Sequence, residues 1–393
     1  MNKRVHITSL QLVLAAAGSA LMFPYTFMPI LRVPPANQDA WVVFLLSIVY
    51  VFVINAPFIY LANKFRGLDI CAMNELILGK VASKFTLMII ALFAIFCFIE
   101  CMILTVMFVK MQLLAETPEW AIVLLILVPT VYAAKKGAGT IARLAFFIIP
   151  TIILLLIIFF IIGLKEMDIA QIQPILTDST PWELNKGAFL TASRFSEVLI
   201  VVVFSYFLIK KTSLYGVYLK TIGVFSLGYL LMLVPVLLTV GSEVAKIANN
   251  PYTLFTRLIA GQFFRVQSIN ILGWFTGVII KLTLYNFIAS YMFSRVIKKK
   301  PQKFFVLPLA FIAFAVSFVP LLRKMSFLNL IKSDLIFPWI VFGVIFGMGM
   351  ILLIFYLVRK KKIDKKIKEE LQYEDDRENV LNEKQEQALK DKG

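Results

Sequence analysis

Ten long apolar segments dominate this 393-residue chain and constrain its fold more than any other feature. A helix needs about 20 mostly apolar residues to cross a bilayer core about 30 Å thick, because unpaired backbone polar groups are too costly in hydrocarbon. The segments cover residues 8–30, 41–62, 85–113, 119–134, 141–164, 188–209, 214–240, 268–295, 304–322 and 335–358. The sequence therefore predicts an all-α, multi-pass integral membrane protein with about ten transmembrane helices.

The first segment also resembles a signal peptide, because Lys3 and Arg4 precede an apolar run that contains small residues. Polar residues interrupt this run at positions 8, 9 and 11, and apolar sequence resumes after Gly18. We therefore expect the segment to be retained as the first span.

Basic residues are distributed unevenly between the two sides of this membrane domain. With the N-terminus inside, the cytoplasmic segments up to residue 368 hold 24 of the 40 Lys and Arg residues, and the opposite segments hold 10 when Lys110 at the end of the third span is included. This is the distribution that the positive-inside rule describes. The net charge of +17 is thus mainly an orientation signal. It predicts cytoplasmic termini, the lipid bilayer as a partner and no nucleic-acid partner.

The composition changes abruptly after Val358, so we divide the chain into a ten-helix permease-like domain, 1–358, and a charged cytoplasmic tail, 359–393. The tail begins with a run of Arg and Lys. Ile363, Ile367 and Leu371 then recur at helical spacing. A short surface helix and a solvated, partly disordered tail both remain open as alternatives.

Four ionisable residues lie deep inside the spans, away from their ends, namely Glu100, Arg194, Glu197 and Lys281. A charge at mid-bilayer is expensive unless it is paired or faces a cavity, so each is a candidate for ligand binding, coupling or conformational control. Arg194 and Glu197 are three residues apart and could pair along one helix face. Glu100 could be a protonated acid or a charged one, and Lys281 could be a structural cation that bridges two helices.

Span 1 contains the stretch Gly18, Ser19, Ala20, Leu21, Met22, Phe23 and Pro24. Gly and Pro six residues apart in mid-span favour either a simple kink or an unwound helix whose free backbone groups meet a polar ligand. We take Gly18, Ser19, Ala20 and Phe23 as candidate ligand-binding residues.

An inverted repeat of two five-helix sets would pair span 1 with span 6. Span 6 has neither Pro nor Gly between Ala188 and Ile209, so any break must centre on the polar run at residues 193–197. We take Phe195, Ser196 and Glu197 from this run as ligand-binding candidates.

The rest of the sequence carries little chemistry. One His and three Cys leave no set for a structural zinc site. Neither a P-loop nor a catalytic triad is present, so we predict no enzyme activity, cofactor or metal. The loop around Glu243–Gln267 is a candidate for an interfacial helix that covers the outer mouth.

Several short motifs then occur in a specific order and spacing over residues 5–358. They are Gln11; Gly18, Ser19 and Ala20; Gln38, Asp39, Ala40 and Trp41; Leu78, Gly79 and Lys80; Thr117, Pro118, Glu119 and Trp120; Gly137 to Leu144; Pro174, Ile175 and Leu176; and Phe195, Ser196 and Glu197. In this pattern the chain resembles the B-subunit permeases of endospore germinant receptors, within the amino acid/polyamine/organocation transporter superfamily.

This resemblance implies a leucine-transporter-like fold of two inverted five-helix repeats, with a ligand between broken helices 1 and 6. The small-residue stretch of helix 1 falls on Gly18 to Ala20, and the aromatic-Gly-aromatic-Glu pattern of helix 6 falls near Phe195 to Glu197. Ser196 stands where the superfamily often has Gly.

The resemblance also implies a function. Members of the family it points to sense a small germinant, commonly an amino acid, together with an A-type membrane subunit and a C-type lipoprotein in the inner spore membrane. Glu197 would orient a ligand amine, and Lys281 would pin span 8 to span 1. The alternatives are a secondary transporter of amino acids or amines, driven by protons through Glu100 or Glu197, and a structural subunit with a vestigial pocket.

Overall fold

The computed structural model describes residues 6–195, 197–208, 212–260, 264–298, 300–319, 336–367 and 369. Fifteen α-helices lie in these ranges: α1 (Ser9–Phe27), α2 (Ala40–Lys64), α3 (Ile70–Leu78), α4 (Lys80–Gln112), α5 (Glu119–Lys136), α6 (Ala138–Gly163), α7 (Pro181–Ala192), α8 (Val198–Phe204), α9 (Leu214–Pro235), α10 (Ser242–Ile247), α11 (Pro251–Ala260), α12 (Phe264–Ile297), α13 (Gln302–Ser317), α14 (Phe337–Val341) and α15 (Met348–Val358). Two π-helical segments, Val236–Val240 and Phe342–Gly347, continue α9 and α14. The prediction of an all-α membrane protein is confirmed.

Each of the ten predicted spans corresponds to helical structure. Seven are long, apolar helices able to cross a bilayer: α1, α2, α4, α6, α9, α12 and the run from α14 to α15. The fourth span is α5, which has charged ends, and the ninth is α13, which has 16 residues. The sixth span is divided between α7 and α8. Residues 196, 209, 320–322 and 335 of the predicted spans lie outside the described residues.

Helix 1 does not contain the predicted break. It runs without interruption from Ser9 to Phe27, and a capping box between Thr8 and Gln11 closes its start. Pro24 has no backbone N–H, so only one carbonyl of α1 loses its hydrogen-bond donor. Nearly every side chain from Leu12 onward is buried. Packing on all sides therefore holds this helix in one piece as far as Met28, whose left-handed backbone ends it.

Gly18 has a packing role at the centre of α1. A Cβ atom added there would overlap the side chain of Ile149 on α6. Glycine at this position therefore allows α1 and α6 to approach closely. The small residue that suggested unwinding in the sequence is instead explained by a contact between two helices.

The sixth span, which we call helix 6 and which is distinct from α6, is broken at the place that the sequence indicates. α7 ends at Ala192 and α8 begins at Val198, and the described residues between them form turns. The amide of Arg194 donates to Thr191 O at 3.1 Å, and the Ser193 hydroxyl donates to Leu190 O at 2.7 Å. Such local bonds compete with regular helix, which explains a break without Pro or Gly.

The outer loop carries the predicted helical cover, in the form of α10 and α11. The Asn250 side chain donates to Thr26 O at 2.6 Å, and the Arg32 guanidinium donates to Ala248 O at 2.7 Å. The ring of Tyr252 meets that of Tyr25 edge-on, 5.0 Å between centroids. These contacts fix the loop to the C-terminal end of α1.

A second cluster joins α3 to the C-terminal end of α12. Asp69 caps α3 by accepting the Ala72 amide at 2.6 Å. Its other oxygen accepts the Tyr291 hydroxyl at 3.0 Å and pairs with Arg295 at 2.6 Å. We call Asp69, Tyr291 and Arg295 the inner latch.

The first part of the tail is helical. Residues 360–367, here named the tail helix, follow α15 after a turn at Arg359. Ile363 and Ile367 are buried, and Asp364 accepts the Tyr356 hydroxyl at 3.0 Å. Of the two alternatives for the tail, the short helix is present over these residues, while Leu371 lies outside the described part of the chain.

We expect Gly18→Ala to lower stability, because its new methyl group must displace Ile149 at a cost of about 1–3 kcal/mol. Adding Ile149→Ala to the same chain should recover part of this loss. The measurement is thermal unfolding of the purified protein in detergent, followed by intrinsic fluorescence.

Gly216→Ala in α9 is the matched control, because nothing lies within 4 Å of the Cβ atom that it adds. This variant should be as stable as the parent or slightly more stable, since alanine is the better helix former. Equal effects of the two glycine substitutions would contradict the packing role of Gly18.

Candidate functional site

The four intramembrane charges meet in two interhelical ion pairs beside the break in helix 6. Arg194 lies 3.4 Å from Glu100 of α4, and Lys281 of α12 lies 3.0 Å from Glu197. All four side chains are at most 10% exposed. The alternative in which Arg194 and Glu197 simply pair along helix 6 does not account for these contacts, because each charge reaches a partner on another helix.

Lys281 joins three helices at one point. Its ammonium group donates to Glu197 Oε1 at 3.0 Å and to the backbone carbonyl of Ser19 on α1 at 3.1 Å. The Tyr285 hydroxyl, one turn along α12, donates to the same carboxylate oxygen at 3.5 Å. The predicted contact between span 8 and span 1 is therefore present, although α1 is a continuous helix.

Aromatic rings enclose the cations of both pairs. The Arg194 guanidinium lies 4.1 Å from the ring centroid of Phe337 and 4.9 Å from that of Phe23. The Lys281 ammonium lies 5.9 Å from the same Phe23 ring. Phe23 thus contacts both cations from α1, and cation–π attraction helps to hold the two pairs together.

Two small cavities flank this cluster in the part of the chain that the structure describes. The first has a volume of about 10 Å³ and is lined by Phe23, Thr26, Cys101, Thr105 and Lys281 among others. The second is about 30 Å³ and lies between α2, the helix 6 break and α9. Since a water molecule needs about 10–15 Å³, they have room for water but not for an amino acid. Neither of these two cavities can hold an amino acid unless the residues around it move.

Several buried oxygens around the break have no hydrogen-bond partner among the described residues. They include Glu197 Oε2, Ser19 Oγ, Asn55 Oδ1, Thr191 Oγ1 and Ser226 Oγ. A buried polar atom left unpaired costs about 1–3 kcal/mol. Three of their residues, Asn55, Glu197 and Ser226, line the second cavity. These atoms are places where a polar ligand or water gains hydrogen bonds.

The structure brings most of the candidate binding residues to this cluster. Ser19 supplies a carbonyl to Lys281, and Ala20, Phe195 and Glu197 line the second cavity. The Phe195 ring also packs on Phe225 of α9, 4.2 Å between centroids. Gly18 instead contacts α6, and Ser196 lies outside the described residues.

Sequence reasoning missed other members of the site. Asn55 donates to the Tyr218 hydroxyl at 2.7 Å, and Tyr218 donates to Val51 O at 3.2 Å. Asn55 is a polar residue inside an apolar span, which is a usable signal. Tyr285 follows Lys281 by four residues and therefore shares its helix face. Nothing in the sequence distinguishes Phe337 as a site residue, because the chain contains 36 phenylalanines.

No metal centre is formed by the described residues, because no three His, Cys, Asp or Glu side chains lie close enough to share an ion. The site instead offers oxygens, two cations and aromatic faces. Such a set can bind a small polar molecule by ion pairing and hydrogen bonding.

Solved structures confirm the fold of the chain. Among the matching structures is MhsT in complex with L-phenylalanine, with a TM-score of 0.59 and 14% sequence identity over 91% of this chain and 99% of that one. The chain therefore has the leucine-transporter-like fold of two inverted five-helix repeats. No curated protein sequence is detectably similar to it.

A family comparison supplies the relationship that the fold alone does not. The model of a permease family described as spore germination proteins matches residues 6–325, which include all of α1 to α13. This match covers the broken helix 6 and all four intramembrane charges. The chain belongs to the spore permease family of spore germination proteins.

Proposed function

We propose that this protein is a membrane subunit of a germinant receptor and binds a small germinant, an amino acid, beside the break in helix 6. The observation that carries the proposal is the pair of buried interhelical ion pairs at that break, with one Glu197 oxygen still unpartnered among the described residues. Family membership supports the connection to spore germination.

The charge balance of the site favours a zwitterion. The two carboxylates and two cations cancel formally, so a ligand with a net charge would leave one buried charge without a partner. That is strongly unfavourable in a low-dielectric interior. A zwitterion can place its ammonium group on Glu197 and its carboxylate on Arg194 or Lys281 and still leave the sum at zero.

Binding would act on the protein through the same two pairs. They connect α4, α12 and the helix 6 break, and Lys281 adds α1. Because the cavities are too small for an amino acid, entry requires these helices to separate. A ligand shifts such an equilibrium only by its difference in affinity for the closed and open states. In the proposed receptor, an A-type membrane subunit and a C-type lipoprotein in the inner spore membrane read this shift.

α12 offers a route from the site to the cytoplasmic side. Lys281 and Tyr285 lie at the site, and Tyr291 and Arg295 belong to the inner latch on the same helix. A helix rises about 1.5 Å per residue, so Arg295 is about 21 Å from Lys281 along the axis. Movement of α12 at the site would then displace its contact with α3.

We expect Glu197→Gln to reduce the sensitivity of spores to an amino acid germinant by at least about tenfold, which corresponds to the loss of a charged hydrogen bond of about 1.5–3 kcal/mol. The measurement is germination rate against germinant concentration, with the amount of protein in spore membranes determined by immunoblotting.

Glu243→Gln is the control for this experiment, because Glu243 pairs with Lys246 on an exposed outer loop. It should leave the germination response unchanged. If Glu197→Gln spores respond as the parent does at equal protein level, the site assignment is wrong.

We expect Glu100→Gln to destabilise the protein by about 3–5 kcal/mol, because Arg194 would keep a buried charge without its carboxylate. The double variant Glu100→Gln, Arg194→Gln removes both charges and should be more stable than Glu100→Gln alone. Thermal unfolding in detergent measures both effects, and strictly additive losses would contradict a functional pair.

A second candidate function is proton-coupled transport of amino acids or amines. The observation that favours it is the position of Glu100 and Glu197 within the membrane domain beside small cavities with room for water, as in a proton relay. Family membership is compatible with a transporter as well as a germinant-binding protein.

Uptake of radiolabelled amino acid into proteoliposomes separates the two functions. We expect the purified protein to gain thermal stability with its ligand, as any native-state ligand requires, but to show no uptake above empty liposomes under a proton gradient. Uptake that collapses with an uncoupler would establish the transporter instead. Absence of both binding and uptake would favour a structural subunit.

A further inference from the structure

The tail helix carries its charges and its apolar residues on opposite faces. Successive residues of an α-helix are turned by about 100°, so Lys361, Lys362, Lys365 and Lys366 share one face. All four are exposed. Ile363 and Ile367 lie on the other side and are buried against the protein core. We call the four lysines the lysine face.

The burial of the two isoleucines decides how this helix can meet a membrane. A free amphipathic helix would turn its apolar side toward the lipid. Here that side is occupied by protein, so the lysine face points away from it. The chain therefore holds four cations in a fixed array, where a solvated tail would leave them to move independently.

The lysine face has one acidic neighbour between positions 359 and 368, and the next acidic residues in the chain are Glu369 and Glu370. Asp364 is the only acidic residue between positions 359 and 368, and it contacts Lys64 at 3.4 Å and the Tyr356 hydroxyl at 3.0 Å. Within the described residues, the four lysines form no ion pair. Lys361 with Lys365, and Lys362 with Lys366, are four residues apart, a spacing at which like charges repel on a helix.

The position of the array fits the headgroup layer. α15 ends at Val358, so the four lysines follow the last membrane-spanning residue by three to eight positions. At about 1.5 Å per residue, they lie at most about 12 Å beyond the apolar span, and the turn at Arg359 brings them closer. The polar layer on each side of the hydrocarbon core is about 5–8 Å thick. Most of the array can therefore reach lipid phosphates.

We propose that the lysine face is a binding site for anionic phospholipid headgroups in the leaflet on the side of the basic loops. Phosphate groups would relieve the repulsion among the lysines and fix the tail helix against the membrane. Because Asp364 ties this helix to Lys64 of α2, bound lipid would also hold the inner ends of α2 and α15 together.

The test uses the full chain in nanodiscs of phosphatidylcholine with a minor fraction of phosphatidylglycerol. The lipid that remains bound after detergent extraction is quantified by mass spectrometry. The variant changes Lys361, Lys362, Lys365 and Lys366 to Gln. The matched control changes Lys80, Lys84, Lys220 and Lys303 to Gln, which removes the same charge from exposed positions at the same membrane side.

We expect bound phosphatidylglycerol to fall at least about fivefold in the lysine-face variant and to change little in the control, since each juxtamembrane lysine contributes to attraction by anionic lipid. High salt should weaken retention by the parent protein through screening. Thermal unfolding in pure phosphatidylcholine should be alike for parent and variant. An equal fall in both variants, or none in either, would overturn the proposal.

Two further arms identify the source of the anion. Inorganic phosphate added at the concentration of the lipid should not displace phosphatidylglycerol, and displacement would show a site for free phosphate instead. A full-length variant with Glu374→Gln, Asp375→Asn and Asp376→Asn tests whether the chain's own acidic segment occupies the lysine face. A marked rise in lipid retention by this variant would overturn the proposal in favour of that segment.

Discussion

The ammonium group of Lys281 is the contact on which the centre of this protein depends. A buried lysine in a membrane domain must be paired, and this one is satisfied by the Glu197 carboxylate and the Ser19 carbonyl. Those two partners belong to the break of helix 6 and to α1, so a single cation ties three elements together. The second pair, Arg194 with Glu100, adds α4 to the same cluster. Loss of any one partner would leave a buried charge exposed to hydrocarbon or to an apolar cavity.

The asymmetry between helices 1 and 6 follows from where the charges lie. Helix 6 carries Arg194 and Glu197. Each of these residues forms an ion pair with a residue on another helix. α1 carries no charge, and its neighbours pack around it closely enough to require glycine at position 18. A proline alone is therefore insufficient to break a helix that is buried on all sides. The proposed ligand site consequently relies on one broken helix and on side chains from α4 and α12.

Ion pairs and hydrogen bonds also connect helices away from the site. The inner latch and the tail helix are each held by an ion pair between a basic and an acidic residue. α10 and α11 pack against the C-terminal end of α1 through hydrogen bonds to backbone carbonyls. In the proposed receptor, ligand binding and signalling both involve movement of the helices that the ion pairs connect.

The sequence by itself determined the number and position of the spans, the location of the break in helix 6 and the four charges of the site. These features depend on local composition, namely apolar length and the cost of a charge in hydrocarbon. Tertiary structure decided that α1 is continuous, that Arg194 pairs with Glu100, that Glu197 pairs with Lys281, and that Asn55, Tyr285 and Phe337 join the site. Partner choice and helix integrity depend on distances between segments that are far apart in the chain, and residue types alone do not specify those distances.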